Sequence, residues 1–122
     1  MVLGSGVSII SVKSVERKLK SAERHPFKKL FTPSEIRYCE KKRYSAEHFA
    51  GRLAAKTACL NALGLKYDES LLAKIQVLRR PSGQPTLKIK PTLFSRSQAQ
   101  RAIAHLSMAH ERDAAIAFVL LS

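Results

Sequence analysis

The sequence predicts an α+β fold in which long helices pack on an antiparallel sheet. Three observations carry this. The early half of the chain holds helix-period segments with recognisable start signals, and the late half holds short β-branched runs separated by turns. One stretch in the middle is apolar over most of its surface, as expected of a central, buried helix. The 122 residues suit one compact domain spanning 1–122, and 45% apolar residues exclude a chain disordered by composition.

The elements follow in order. Residues 2–10 are β-branched and punctuated by glycine, which predicts a first strand; they carry neither the basic start nor the cleavage signal of a secretory leader. Residues 12–23 place Val12, Val15 and Leu19 among charges, which predicts an amphipathic helix. Thr32-Pro33-Ser34-Glu35 is a helix start: the hydroxyl caps, proline suits the first turn, and Glu35 stands three residues after Thr32. That helix is expected to run through Cys39 to about Lys42. Ser45 and Glu47 open the central helix, and Gly64 stops it. Residues 74–79 and 86–89 read as strands around the turn Pro81-Ser82-Gly83-Gln84-Pro85. Residues 95–102 read as a short helix. Residues 103–108 and 114–121 read as two strands joined by a polar turn through His110 and Asp113.

Composition narrows the partners. Lys and Arg number 22 against 9 Asp and Glu, a formal charge of +13 that calls for an anionic partner. Nucleic acid, an anionic membrane, and an acidic protein handling a phosphorylated ligand all fit that charge. Few aromatics interleave the basic residues and no DNA-reading motif is present, which disfavours nucleic acid. No apolar run is long enough to cross a bilayer. Cys39 and Cys59 lack metal spacing and read as free thiols of a reducing compartment, so a cytoplasmic location is expected.

Two apparent nucleotide motifs dissolve on inspection. Gly4-Ser5-Gly6 lacks the third glycine of a dinucleotide fingerprint, because position 9 is Ile; the glycines read better as relief for a crowded strand. Residues 51–57 end in Lys-Thr like a phosphate-binding loop, but Ala55 stands where that loop needs glycine, and the segment reads as helix interior. Of the four histidines, His110 draws most interest, because a strand end next to a turn is a favoured place for a site residue.

Five segments in order resemble one family. His48-Phe49-Ala50-Gly51-Arg52-Leu53-Ala54-Ala55-Lys56-Thr57-Ala58 resembles the F-x-A-x-R-F-A-x-K-E-A helix of the holo-acyl-carrier-protein synthases, the small-type 4′-phosphopantetheinyl transferases. Gly4-Ser5-Gly6-Val7-Ser8-Ile9 is similar to their opening strand G-x-G-x-D-I, and Phe31-Thr32-Pro33-Ser34-Glu35-Ile36 to their L-T-x-x-E-L helix start. Ser82-Gly83-Gln84-Pro85 resembles their N/S-G-K-P hairpin, and residues 105–113 their closing H-V-S-x-S-H segment.

The resemblance implies the 4′-phosphopantetheinyl transferase fold and a homotrimer with sites between subunits. It implies transfer of the phosphopantetheine arm of coenzyme A to a serine of an acidic acyl carrier protein, with Mg²⁺ steadying the pyrophosphate. It implies coenzyme A contacts at Arg52, Lys56, Asn61, Gly83, Pro85 and His110, carrier-protein docking along Lys13, Ser14, Arg17 and Lys20, and catalytic roles for His110 and Lys56. It places the two metal ligands at Ser8 and Thr57, where the family has Asp and Glu. Asn61 stands for a lysine, Ser14 for the arginine that grips the carrier protein, Ala109 for a serine and Ala114 for a tyrosine. Mg²⁺ is a hard cation that wants charged oxygens, and a neutral hydroxyl at position 57 is no base near neutral pH, so both metal binding and turnover are expected to be impaired. Three readings stay open: a synthase-like protein of weak or absent activity, a working transferase that uses the coenzyme A phosphates and His110, and a basic scaffold or nucleic-acid-binding module on the same fold.

Overall fold

A computed structural model describes residues 1–95 and 102–122. The short helix expected at 95–102 falls, but for its ends, outside the described residues. The organising element is α4, Ser45–Ala62, of which twelve residues are buried. Its high content of Ala and Gly (Ala50, Gly51, Ala54, Ala55, Ala58) lets neighbouring elements approach its backbone on several sides.

On one side lies a three-stranded antiparallel sheet of order β1-β5-β4, formed by β1 Gly4–Ser11, β5 Ala114–Leu121 and β4 Ala104–His110. The closeness of β1 to α4 explains the first-strand glycines. A Cβ on Gly4 would strike the carbonyl of Ala62, and one on Gly6 would strike that of Ala58. Here glycine is required by proximity, not by nucleotide binding, as the sequence suggested. The inward residues Ala115, Ala117, Val119 and Leu121 of β5 are buried, in the alternation expected of a sheet with one covered face.

The outer face of this sheet is apolar and open. Val7 pairs with Phe118 and Ile9 with Ile116 across β1 and β5, and the four side chains are 44% to 68% exposed.

On the other side of α4 pack α3 Pro33–Glu40 and the hairpin of β2 Ile75–Arg79 with β3 Pro85–Ile89. The start of α3 is a full capping box: Glu35 N donates to Thr32 Oγ1, and Thr32 N donates to Glu35 Oε1. The first helix, α1 Val12–Leu19, is shorter than the 12–23 expected. Ser21 bonds back to the Lys18 carbonyl and turns the chain into a separate helix, α2 Arg24–Lys28, which the sequence reading did not anticipate. Phe27 of that helix packs edge-on against Phe31 and Phe49, an aromatic trio that closes the bottom of the core. A four-residue helix, α5 Glu69–Leu72, leads into β2. No helix among the described residues is long and apolar enough to cross a membrane. Cys39 and Cys59 are free and buried, and burial pushes their thiols up to about 11 and about 12, as inert core residues require.

Candidate active site

The predicted residues fall into three groups along α4. Toward its C-terminal end stand positions 8, 57 and 61. Gly4 abuts Ala62 and Gly6 abuts Ala58; the next inward residue of β1, Ser8, continues that step toward the turn at 53–57. Thr57 donates its hydroxyl proton to the carbonyl of Leu53 at 2.9 Å, and Asn61 donates from Nδ2 to the Val7 carbonyl at 3.3 Å. Thr57 opens on a cleft of about 320 Å³ whose polar lining comes from Ser11, Ser14, Lys18 and Tyr67. No carboxylate lines it, and no group of three or more His, Cys, Asp or Glu among the described residues is arranged to hold a metal ion.

A hard divalent cation does not fit these donors. Both replacements are neutral, and the Thr57 hydroxyl is tied to its own helix.

Toward the N-terminal end of α4 lies a second, more densely built group. His110 Nδ1 is 3.1 Å from Glu47 Oε1, and its ring meets His48 edge-on at 4.7 Å. His48 in turn meets Tyr38 at 5.9 Å, and the Arg52 guanidinium lies over the Tyr38 ring at 4.0 Å. Lys42 and Arg79 approach the same ring at 4.6 and 5.8 Å. Arg79 also donates to the carbonyl of Gly83 at 2.7 Å, which joins the hairpin turn to the cluster. Gly83 has φ +91°, a conformation that glycine takes without strain. The absence of a Cβ at Gly51 completes the packing, since one there would press on Met108 and approach the His110 ring.

The charges act on one another. Burial first, then the His110 ring beside it and the charges of Arg52, Lys42 and Arg79, lower His48 to about 4, so it is neutral near pH 7. Burial tends to raise the Tyr38 phenol, but Arg79, Arg52 and Lys42 outweigh it and hold the group below its ordinary value. Arg52 is buried and its Nε has no partner among the described residues. A cleft of about 200 Å³ runs along this cationic wall; Ser34, Tyr38, Arg52 and Arg79 line it together with Glu35, whose carboxylate is already held by Lys56, Thr32 N and Val77 N. Cations gathered at one aromatic ring, with one donor unused, form a ready anion site.

Lys56 belongs to neither group. Its side chain is wholly buried, and its ammonium donates to the carbonyls of Leu30 and Leu72, both at 3.0 Å, and to Glu35 Oε1 at 2.6 Å. Three protons meet three oxygens, which leaves none for a substrate. Glu35 is equally occupied, since Oε2 accepts from Val77 N at 2.8 Å. In this chain those contacts make Lys56, which the resemblance assigns to the site, a tie that joins α3, α4 and β2 from inside.

The first helix presents Lys13, Arg17 and Lys20 on its exposed side, with Ser14 half-buried beside them. Lys20 pairs with Glu16 at 2.8 Å and Arg17 Nη2 donates to Ser14 Oγ at 3.3 Å, so the stripe is basic and solvated.

No family model matches the chain. It is 37% identical over 125 residues to the holo-[acyl-carrier-protein] synthase of Geobacter sp. (strain M21), covering 99% of this chain and 98% of that one. The chain belongs to the holo-[acyl-carrier-protein] synthase family. Its fold matches the synthase of Neisseria meningitidis with a TM-score of 0.85 at 26% identity, covering 100% of this chain and 99% of that one. It matches a Bacillus anthracis synthase in complex with coenzyme A (3′,5′-ADP) with a TM-score of 0.80 at 28% identity, covering 99% and 96% of the two chains. The expected α+β synthase fold is thus met over the whole length.

Sequence reading missed much of the second group. Tyr38 and Arg79 carry no motif signal, Glu47 reads only as an opener of the central helix, and His48 enters only as the first residue of the family-like segment 48–58. One signal was present: His48 and Arg52 are four apart on one helix and share a face. Nothing in the sequence pointed to Arg79, which reaches Tyr38 from a different element.

Proposed function

We propose that this chain is a holo-acyl-carrier-protein synthase-like protein, one domain over 1–122, that binds coenzyme A and an acidic acyl carrier protein but transfers the phosphopantetheine arm weakly or not at all. The observation that carries this reading is that, among the described residues, no carboxylate lines the cleft at Thr57 and no acidic cluster is arranged to hold a metal ion. The Mg²⁺ implied by the family has no charged oxygen to hold it there, so no step is assigned to it.

Coenzyme A binding rests on the second group. Arg52, Arg79 and Lys42 supply charge for phosphate oxygens, and the hairpin turn at Gly83 and Pro85 lies next to them. The exposed stripe Lys13, Arg17 and Lys20 is the face for the carrier protein. Ser14 offers it only a hydroxyl, which weakens the grip relative to an arginine.

Within one chain these groups are far apart. Glu47, which holds His110, and Thr57 are ten residues apart on α4, about 15 Å along its axis. The open apolar face of Val7, Ile9, Ile116 and Phe118 suits an interface between copies, in keeping with a homotrimer. A cytoplasmic location accords with the free thiols.

One observation favours residual activity as a second reading. With Nδ1 donating to Glu47, His110 keeps the Nε2 lone pair free to take a serine proton. The deciding assay incubates the protein with coenzyme A, Mg²⁺ and apo-carrier protein and follows the added arm by mass. At least a hundredfold less product than the Geobacter relative gives under the same conditions is expected. Comparable turnover sinks the impaired reading.

A further inference from the structure

The cleft beside Thr57 lacks carboxylates but does not lack charge. Lys18, in the last turn of α1, lines it together with Thr57, Ser14 and Tyr67. Among the described residues Lys18 makes no ion pair; its ammonium stands 5.8 Å from the centroid of the Phe27 ring. The remaining walls are Ser11 and the apolar Ile9, Ile10, Val15, Phe27 and Leu53, so the exposed Lys18 is the cleft's one charged side chain among the described residues.

The charge balance is instructive. A divalent cation held by two carboxylates adds no net charge to a site. Two hydroxyls and one ammonium add one positive charge. A ligand carrying phosphate oxygens therefore meets a more positive cleft here than a metal-loaded carboxylate pair would provide. With carboxylates at positions 8 and 57, an ammonium in this place would pair with them and the attraction for an anion would be lost. The neutral hydroxyls leave Lys18 available.

We propose that Lys18 takes the place of the metal as the cation that meets the diphosphate of coenzyme A, so that this chain binds coenzyme A without a divalent ion. The proposal rests on the synthase-like reading above. Lys18 is a binding residue in it; no bond is made or broken.

Titration calorimetry of the whole chain with coenzyme A alone, in EDTA and in Mg²⁺, tests it without any carrier protein or turnover. Affinity in the two buffers is expected to agree within about threefold. Lys18→Met is expected to weaken binding about tenfold or more, the scale of a lost charge-assisted contact, and Lys18→Arg to keep most of it. Lys18→Met is expected to leave binding of pantetheine, which has no phosphate, unchanged. Lys29→Met removes the same charge from an exposed position outside the cleft and serves as the control for non-specific charge. Lys18 is exposed, so the thermal melt of each variant confirms an intact fold. Binding that collapses in EDTA, or that is equal in wild type and Lys18→Met, overturns the proposal while leaving the family reading standing. No coenzyme A binding by the wild type in either buffer overturns both.

Discussion

The two ends of α4 differ in how their polar residues are held. Near its start, Glu47, His48 and Arg52 face Tyr38, His110 and Arg79, and nearly every ring or charge touches another. Near its end, Thr57 bonds its own helix and Asn61 bonds the Val7 carbonyl of β1. Polar groups that lean on several elements are costly to alter, because each change strands a partner. Groups that satisfy themselves locally can change without disturbing the fold. In this chain charged side chains stand where several elements interlock, and neutral hydroxyl and amide groups stand where nearby backbone satisfies them.

Lys56 and Thr57 put that contrast at adjacent positions, and Lys56→Ala gives the largest expected effect. It leaves Glu35 buried without its cation, and loss of one partner of such a pair costs about 3–5 kcal/mol. Thr57→Ala removes a hydroxyl bonded to its own helix and should cost less than about 1 kcal/mol. Urea unfolding of the two variants measures the gap. A Lys56→Ala protein as stable as wild type but deficient in coenzyme A binding would return Lys56 to the site.

The next effect is a gain. Ser8→Asp with Thr57→Glu places two like charges near one another, so the variant should be less stable than wild type in EDTA. Mg²⁺ should then stabilise it by about 2–3 kcal/mol at a hundredfold excess over its dissociation constant, while wild type gains nothing. Thermal melts with and without Mg²⁺ read this directly. A variant indifferent to Mg²⁺ would mean that positions 8 and 57 are not disposed around a common point.

The smallest effect probes the other end of the helix. His48 titrates at about 4 in the fold and near 6.5 in a free chain. The unfolded chain therefore binds the proton first as pH falls. The associated stability is complete above pH 6.5, is lost progressively between pH 6.5 and about 4, and changes no further below that. Because solvent reaches part of the ring, about 1–2 kcal/mol is expected in place of the full linkage value. Unfolding free energies across this window should flatten in His48→Gln. An unchanged slope would place the acid sensitivity elsewhere.

Legibility in the sequence followed the range of the interactions. The capping box at Thr32 and Glu35, the central helix with its Gly64 stop, and the Gly83 turn are written in neighbouring residues, and all were readable. The split of the first helix was not, because it depends on a Ser21 side-chain bond and on burying Phe27 against Phe31 and Phe49. The internal tie made by Lys56 is not legible, because its motif position says nothing about whether carbonyls of Leu30 and Leu72 and the Glu35 carboxylate surround it.

By itself, the sequence determined the family, the order of helices and strands, the excess of positive charge, and the neutral Ser8 and Thr57 at positions where the resemblance implies two acids. These are properties of local pattern and residue identity. The tertiary structure alone decided which cations are used up in the core and which remain free. Lys56 and Lys18 carry the same group, and only the positions of distant carbonyls, carboxylates and cleft walls make one a structural tie and the other an ammonium without an ion pair among the described residues. Charge is fixed by the residue, but its availability is set by what folding brings within a few ångströms of it.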